Sequence, residues 1–344
     1  MMRLPAFNWV GARTLADAAA AIAADPANTR LVAGGTDLWP NLKRRHQGAS
    51  TVVGLRGVAE LHGIDGDPKT GMRIGAMTRL TAIIGHPVLR AAYPGFVRAV
   101  ASISSPVLRN MGTIGGNLCL DTRCTYYNQN EEWRQAIGYC KKEVGETCWV
   151  ATSSPRCWAI SASDSAPLVS AIDARVKLVS KDGERVILAR ELFNDDGISY
   201  LTKRQDEILT ELLLPPAGGL QSTYWKLRRR GSIDFPVLGV GVSIQRGDHG
   251  TVTQAGIHLG AVQSFPVRAQ KAIDALVGQP LTEETIALAA TLAKQPATPM
   301  DNTDYTLQWR RQMVEHYVDG ALRELAGLPP KAQPSREGRF VFDV

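Results

Sequence analysis

Leu31-Val32-Ala33-Gly34-Gly35-Thr36-Asp37-Leu38 is the stretch on which the reading of this 344-residue chain turns. Thr29 to Val32 has the composition of a short strand, and it runs straight into a glycine pair followed by a hydroxyl and a carboxylate. A diphosphate needs several backbone N–H groups converging with no side chains in the way, and glycine supplies both close approach and positive φ. Gly112-Thr113-Ile114-Gly115-Gly116-Asn117 offers the same chemistry further along. Neither loop follows the G-x-G-x-x-G or P-loop pattern, so the common nucleotide folds are not supported. An ordinary turn uses glycine for the same backbone reason, and at this level both readings of each loop stay open.

Around the first loop the chain reads as an α/β unit. Thr14 can cap a helix with Asp17 three residues on, Leu15, Ala18, Ala19 and Ile22 form its apolar stripe, and a second strand is expected over Thr51 to Leu55. A helix is expected near Pro94 to Ser102. Ala174 to Val179 and Arg185 to Leu188 flank Asp182-Gly183 as a β-hairpin, and Glu207 to Leu214 adds a strand before the linker Pro215-Pro216 with Gly218-Gly219. Ser222 to Lys226, Val237 to Ile244 and Thr251 to Val262 read as an antiparallel meander. Helices near Glu283 to Ala293 and Tyr305 to Ala326 follow, the latter with Tyr305, Trp309, Met313, Tyr317 and Leu325 on one face. The resulting division is 1–218 (parts 1–56 and 57–218, with an insertion at 118–163), 219–328, and an extended tail 329–344 that includes Phe340-Val341-Phe342.

The net charge of +6 arises from 39 basic residues interspersed with 33 acidic ones, and the clusters Lys43-Arg44-Arg45 and Arg228-Arg229-Arg230 are short. That pattern is a solvated surface rather than a nucleic-acid footprint. No apolar run reaches the roughly 18 to 20 residues of a membrane helix, and Met1 to Trp9 lacks a signal pattern, so a cytoplasmic protein is expected.

All five cysteines, Cys119, Cys124, Cys140, Cys148 and Cys157, fall in one polar stretch of the middle region. A cytosolic chain argues against disulfides, so such a group reads as metal-binding or redox-active. Four thiolates can hold zinc or a [4Fe–4S] cluster; the spacing lacks the C-x-x-C pairs of structural zinc, and no histidine lies between Arg123 and Trp158.

The two glycine loops together with Ala162-Ser163-Asp164-Ser165-Ala166-Pro167 resemble the FAD-binding signatures of the medium subunits of xanthine dehydrogenase and carbon monoxide dehydrogenase. The resemblance continues through Tyr224-Trp225-Lys226-Leu227-Arg228-Arg229, Leu259-Gly260-Ala261-Val262 and Pro266-Val267-Arg268, nearly the whole chain. It implies an α+β protein: a two-part FAD-binding domain of the vanillyl-alcohol-oxidase type, then a C-terminal domain with a three-stranded antiparallel sheet and helices. It also implies that residues 31–38 and 112–117 clasp the FAD pyrophosphate, with Thr113, Gly116, Asn117 and Asp164 in contact, Leu209 and Lys226 near the flavin end, and Ile103 ahead of the second loop. The alternative for Asp164, less favoured than ligand contact, is a helix cap, and Lys226 could equally be surface charge. Beside a reduced flavin, Lys226 would favour its anionic form.

The cysteine-bearing insertion resembles that of the β subunits of 4-hydroxybenzoyl-CoA reductases, which implies Cys124, Cys140, Cys148 and Cys157 as [4Fe–4S] ligands, with Cys119 a buried thiol. The implied partners are a molybdopterin-bearing large subunit and a small [2Fe–2S] subunit in a dimer of heterotrimers, with a ferredoxin-like electron donor. The chain shows no nucleophile triad or acid–base dyad, so electron transfer is its expected task. The rivals are an oxidative enzyme with the same insertion, a free-standing flavin oxidoreductase and a zinc-stabilised interaction module.

Overall fold

The computed structural model describes residues 3–331. Its first part is a parallel sheet ordered β1-β3-β2, in which β3 (Thr51–Gly54) lies between β1 (Asn8–Gly11) and β2 (Thr29–Val32). β1 is only four residues long, too short for an alternation to show in the sequence. The helix Leu15–Ala24 crosses between β1 and β2 and carries a full capping box: Asp17 N–H donates to Thr14 Oγ1 (3.1 Å) and Thr14 N–H to the Asp17 carboxylate (3.0 Å). Ala18, Ala19 and Ile22 pack into one core with Val53 and Leu55. β2 then delivers Gly34 and Gly35 to the edge of this unit, where the short helix Leu38–Lys43 begins.

The second part is a five-stranded antiparallel sheet ordered β4-β5-β8-β6-β7, built from β4 (Ile64–Asp67), β5 (Gly71–Gly75), β6 (Arg175–Ser180), β7 (Gly183–Leu188) and β8 (Ile208–Leu214). The expected hairpin is present one residue out of register. Ser180 pairs with Gly183, so Lys181 and Asp182 form the turn and Gly183 opens β7 at φ +144°. The helices Leu80–Gly85, Pro94–Ala101 and Ser165–Ala171 pack on this sheet, joining Ile83, Phe96 and Leu168 to Ile74 and Leu212.

The C-terminal part contains the expected meander, β9 (Gln221–Leu227), β10 (Leu238–Arg246) and β11 (Val252–Gly260). A two-residue β12 (Val267–Arg268) makes the sheet four-stranded rather than three-stranded, in the order β12-β11-β10-β9. The helices Gln270–Leu276, Glu283–Ala293 and Leu307–Ala326 bury Leu276, Ile286, Val314 and Leu322 against Val240 and Ile257. Thr306 caps the last helix, which leaves Tyr305 outside it, exposed and at φ +67°, while Met313 is in the core and Trp309, Tyr317 and Leu325 pack against it. The Phe340-Val341-Phe342 stretch of the expected tail lies outside the described residues. No helix among the described residues is long and apolar enough to cross a membrane.

Glycines let this sheet settle directly on the preceding part. A Cβ at Gly241 would stand 2.6 Å from the Leu168 nitrogen, and one at Gly256 would collide with the Ala171 carbonyl, so the backbone of the helix Ser165–Ala171 rests on β10 and β11. That seating brings Asp164, at the start of the helix, within reach of Tyr224 and Lys226 on β9.

His258 on β11 is buried with neither ring nitrogen partnered. Burial, reinforced by Arg268 and Arg190, pushes its pKa down to about 3. An unfolded histidine titrates near 6.5, so between about pH 6.5 and 3 the unfolded chain binds a proton that the folded chain refuses, and stability falls as pH falls through that window. His258→Leu is therefore expected to gain on the order of 2 kcal/mol at pH 5 relative to its effect at pH 8. Urea unfolding at both pH values measures this; an unchanged pH slope would acquit the imidazole.

Candidate functional site

The two glycine loops meet backbone to backbone. A Cβ on Gly34 would collide with the Met111 carbonyl, Gly35 sits at φ +73° against the Trp39 indole, and a Cβ on Gly115 would stand 2.6 Å from that of Ala76. Packing alone thus requires these three glycines. Gly116 differs: an added Cβ would approach only Thr113 Oγ1 (3.1 Å) and Ala33 Cβ (3.8 Å), and its open side faces a cleft.

Leu31, residues 33–38, Ile103, Gly112, Thr113, Gly116, Asn117 and Asp164 line that cleft. Val32, Ile114 and Gly115 stand behind the wall, the first two in hydrophobic cores. Leu209, on β8, is buried in the main core and does not line the cleft. Lys226 stands behind Asp164, donating to its Oδ2 (2.9 Å), to Ser102 O (3.0 Å) and to Asp234 O (2.8 Å); it is not surface charge. A second cavity of ≈ 510 Å³ opens on the other side of the same loops, sharing Ala33, Gly34 and Thr113 with the first and carrying Arg56 and Arg79.

The two loops do not contribute equally. In the second, Ile114 N–H donates to Thr78 O, Gly115 N–H to Ala76 O, Gly116 N–H to Thr113 Oγ1 and Asn117 N–H to Thr113 O. In the first, the N–H groups of Gly34, Gly35, Thr36 and Asp37 make no hydrogen bond within the described residues. Four adjacent open donors beside a glycine surface are what a diphosphate requires. The four adjacent unbonded N–H groups thus lie in the first loop, whereas those of Ile114 to Asn117 in the second are already bonded.

Asp164 stands at the N-cap position of the helix but its side chain makes no capping bond; Ser163 Oγ accepts from Ala166 N–H instead, at 3.2 Å. The Asp164 carboxylate accepts instead from Tyr224 OH and Lys226 Nζ, each at 2.9 Å. Burial pushes its pKa up and that of Lys226 down, and the close pairing of the two offsets both. Ile233, Asp234 and Phe235, from the loop between β9 and β10, and Gln47, Asp121 and Tyr200 also line the cleft. Sequence reasoning passed over all six, since they are isolated residues brought in by tertiary contacts.

The insertion is closed at its base. Asn117 Oδ1 accepts from Ser163 Oγ (2.8 Å) and Ser165 Oγ (2.6 Å), so residues 118–163 leave and return beside the cleft. The insertion packs back on the first part through Tyr127 OH to His46 O (2.6 Å), Gln47 to Asp121 (2.9 Å) and Arg134 to Arg44 O (2.6 Å). Cys124, Cys140, Cys148 and Cys157 are all buried, three of them in one small core with Tyr127 and Ala159. Burial raises Cys124 to about 12 and Cys157 to about 11, and raises Cys140 as well. Backbone N–H groups oppose that on each sulfur: Tyr126 and Tyr127 on Cys124, Lys142 and Glu143 on Cys140, Ala159 on Cys157. Among the described residues no three His, Cys, Asp or Glu side chains are arranged to hold a metal ion, so the four cysteines expected as ligands are buried in the insertion without being brought into a chelating group. Cys119 is half-buried, lines the cleft and belongs to the main core, apart from the other four.

Residues 5–217 match the family described as the FAD binding domain in molybdopterin dehydrogenase, and residues 222–325 match the CO dehydrogenase flavoprotein C-terminal domain. Among curated proteins, the nicotinate dehydrogenase FAD-subunit of Eubacterium barkeri is 27% identical over 83% of this chain and 84% of its own length. The carbon monoxide dehydrogenase medium chain of Afipia carboxidovorans is also 27% identical, over 90% and 92%. Among solved structures, the reconstituted CO dehydrogenase from Oligotropha carboxidovorans superposes with a TM-score of 0.78 at 25% identity, covering 95% of this chain and 100% of the other.

Proposed function

The chain belongs to the FAD-binding family of the molybdopterin dehydrogenases, and on that premise we propose that it is the electron-transfer flavoprotein subunit of a molybdenum hydroxylase-type complex. Its partners are a molybdopterin-bearing large subunit and a small subunit with [2Fe–2S] clusters. FAD, when bound, supplies a carrier that takes up and releases electrons singly or in pairs. The chain's own residues hold it. Gly34 to Asp37 present four open N–H donors, Gly116 leaves room for the ligand, and the buried Asp164, Tyr224 and Lys226 fix the wall between the second part and β9.

The reading extends to the insertion, where Cys124, Cys140, Cys148 and Cys157 hold a [4Fe–4S] cluster. The observation that supports it is the burial of all four sulfurs inside the insertion, with Ala159 N–H donating to Cys157 Sγ at 3.4 Å. The physiological direction is then inward: from a ferredoxin-like donor by way of [4Fe–4S] and FAD to the partners' [2Fe–2S] clusters and molybdenum, for reductive dehydroxylation of 4-hydroxybenzoyl-CoA. The oxidative alternative is favoured by the relatives, whose names are those of nicotinate and carbon monoxide dehydrogenases.

Anaerobic purification of the complex with iron, molybdenum and flavin analysis tests both. The proposal expects four irons per flavin beyond those of the [2Fe–2S] subunit, and reduction of the bound flavin by reduced ferredoxin. Iron accounted for by the small subunit alone, with reduction only by the organic substrate, selects the oxidative alternative.

A further inference from the structure

We propose that Arg123, a residue of the cysteine-bearing insertion, completes the flavin site by holding Asp37 of the first glycine loop, so that FAD binding and order in the insertion are coupled. The inference rests on FAD occupying the cleft, and not on the identity of any metal in the insertion.

Arg123 is buried, and its guanidinium forms an ion pair with the Asp37 carboxylate. It also donates to Asn41 Oδ1 at 3.3 Å, while Asn41 Nδ2 donates to the other Asp37 oxygen at 3.0 Å. The Phe235 ring lies 5.0 Å from the guanidinium carbon. Asp37 and Phe235 both line the cleft, and Asp37 is the last of the four residues whose N–H groups are open. Arg123 Nε has no partner, so one buried donor at this spot is uncommitted.

The backbone of the same residue belongs to the sulfur pocket. Arg123 N–H donates to Ile160 O (2.9 Å) and Ile160 N–H to Arg123 O (2.7 Å), a two-bond bridge next to Cys124 and three residues past Cys157. One residue therefore braces the neck of the insertion with its main chain and the flavin loop with its side chain. Loosening the neck moves the guanidinium away from Asp37; filling the cleft fixes Asp37 and, through it, the neck. By linkage the two effects are equal in free energy. Lysine reaches the same carboxylate as a point charge but cannot span Asp37 and Asn41 together as a planar fork does.

The test is fluorescence titration of the flavin-free full chain with FAD. Arg123→Met and Asp37→Asn are each expected to weaken FAD by about tenfold, and the double variant no more than either alone. Arg123→Lys is expected to recover part of the loss. Reciprocally, FAD should slow alkylation of Cys124 and Cys157 in the metal-free wild type by the same factor and leave their rate unchanged in Arg123→Met. Wild-type FAD affinity in a folded Arg123→Met protein, or additive losses in the double variant, would overturn the coupling. The control is Gly116→Val: if it loses FAD while Arg123→Met keeps it, only the coupling fails, whereas retention by both removes FAD from the cleft.

Discussion

Gly116→Val is expected to give a folded protein that purifies without FAD. The fold tolerates it because Gly116 is not in the left-handed region and an added Cβ meets only a hydroxyl at 3.1 Å and a methyl at 3.8 Å, contacts relieved by a few tenths of an ångström. The valine methyls extend into the cleft that Gly34 to Asp37 also line. Displacing a diphosphate from even two such donors forfeits about 1.5–3 kcal/mol each, since they bond to a charged acceptor. The sum is roughly a hundredfold loss of affinity or more. Flavin absorbance per protein, read alongside circular dichroism and the melting temperature, measures it. Full flavin occupancy in a folded variant would take the second loop out of the site. Valine at Gly34 or Gly35 is a poorer probe, because the first meets the Met111 backbone and the second is strained by its positive φ and by Trp39.

That contrast also marks how far the sequence can be read. A Gly-Gly pair after a strand announces a tight backbone feature, and the period-2 and period-3.6 patterns that frame it located β2, β3, the meander and both long C-terminal helices within a few residues. What the letters do not distinguish is a glycine required by packing from one required by a ligand, since both are chosen for the missing Cβ. Only the neighbours of Gly34, Gly115 and Gly116 separate them. Arg123 was legible as a basic residue beside a cysteine, yet its partner Asp37 lies in the first part and its stacking partner Phe235 in the third. Phe235 carries no signal in the sequence, because its place at the cleft arises only when β9 and β10 are seated on the helix Ser165–Ala171. β12 and the helix Gln270–Leu276 were missed for a simpler reason: two and seven residues are too few for a period to declare itself.

The second large effect is expected from Cys140→Ser, which should abolish electron entry from a protein donor while leaving a usable flavin site. Cys140 sits in a turn whose backbone closes around it: Glu143 and Gly145 N–H both donate to its carbonyl. A serine oxygen in that turn is a hard, protonated ligand where iron requires a soft thiolate, so the cluster is lost or damaged. The flavin loops lie outside the insertion, and its base is held independently by Asn117, Ser163 and Ser165. Saturating FAD therefore fills the cleft even if the coupling through Arg123 weakens binding. Stopped-flow reduction of the flavin, with iron content measured in parallel, separates the routes. In the iron-depleted variant, reduction by reduced ferredoxin should fall to background while reduction by dithionite, small enough to enter the cleft, keeps its wild-type rate. Wild-type reduction by ferredoxin in a cluster-free protein would make the insertion a structural element and put the port of entry elsewhere in the complex. Loss of reduction by both donors would instead place the damage at the flavin itself.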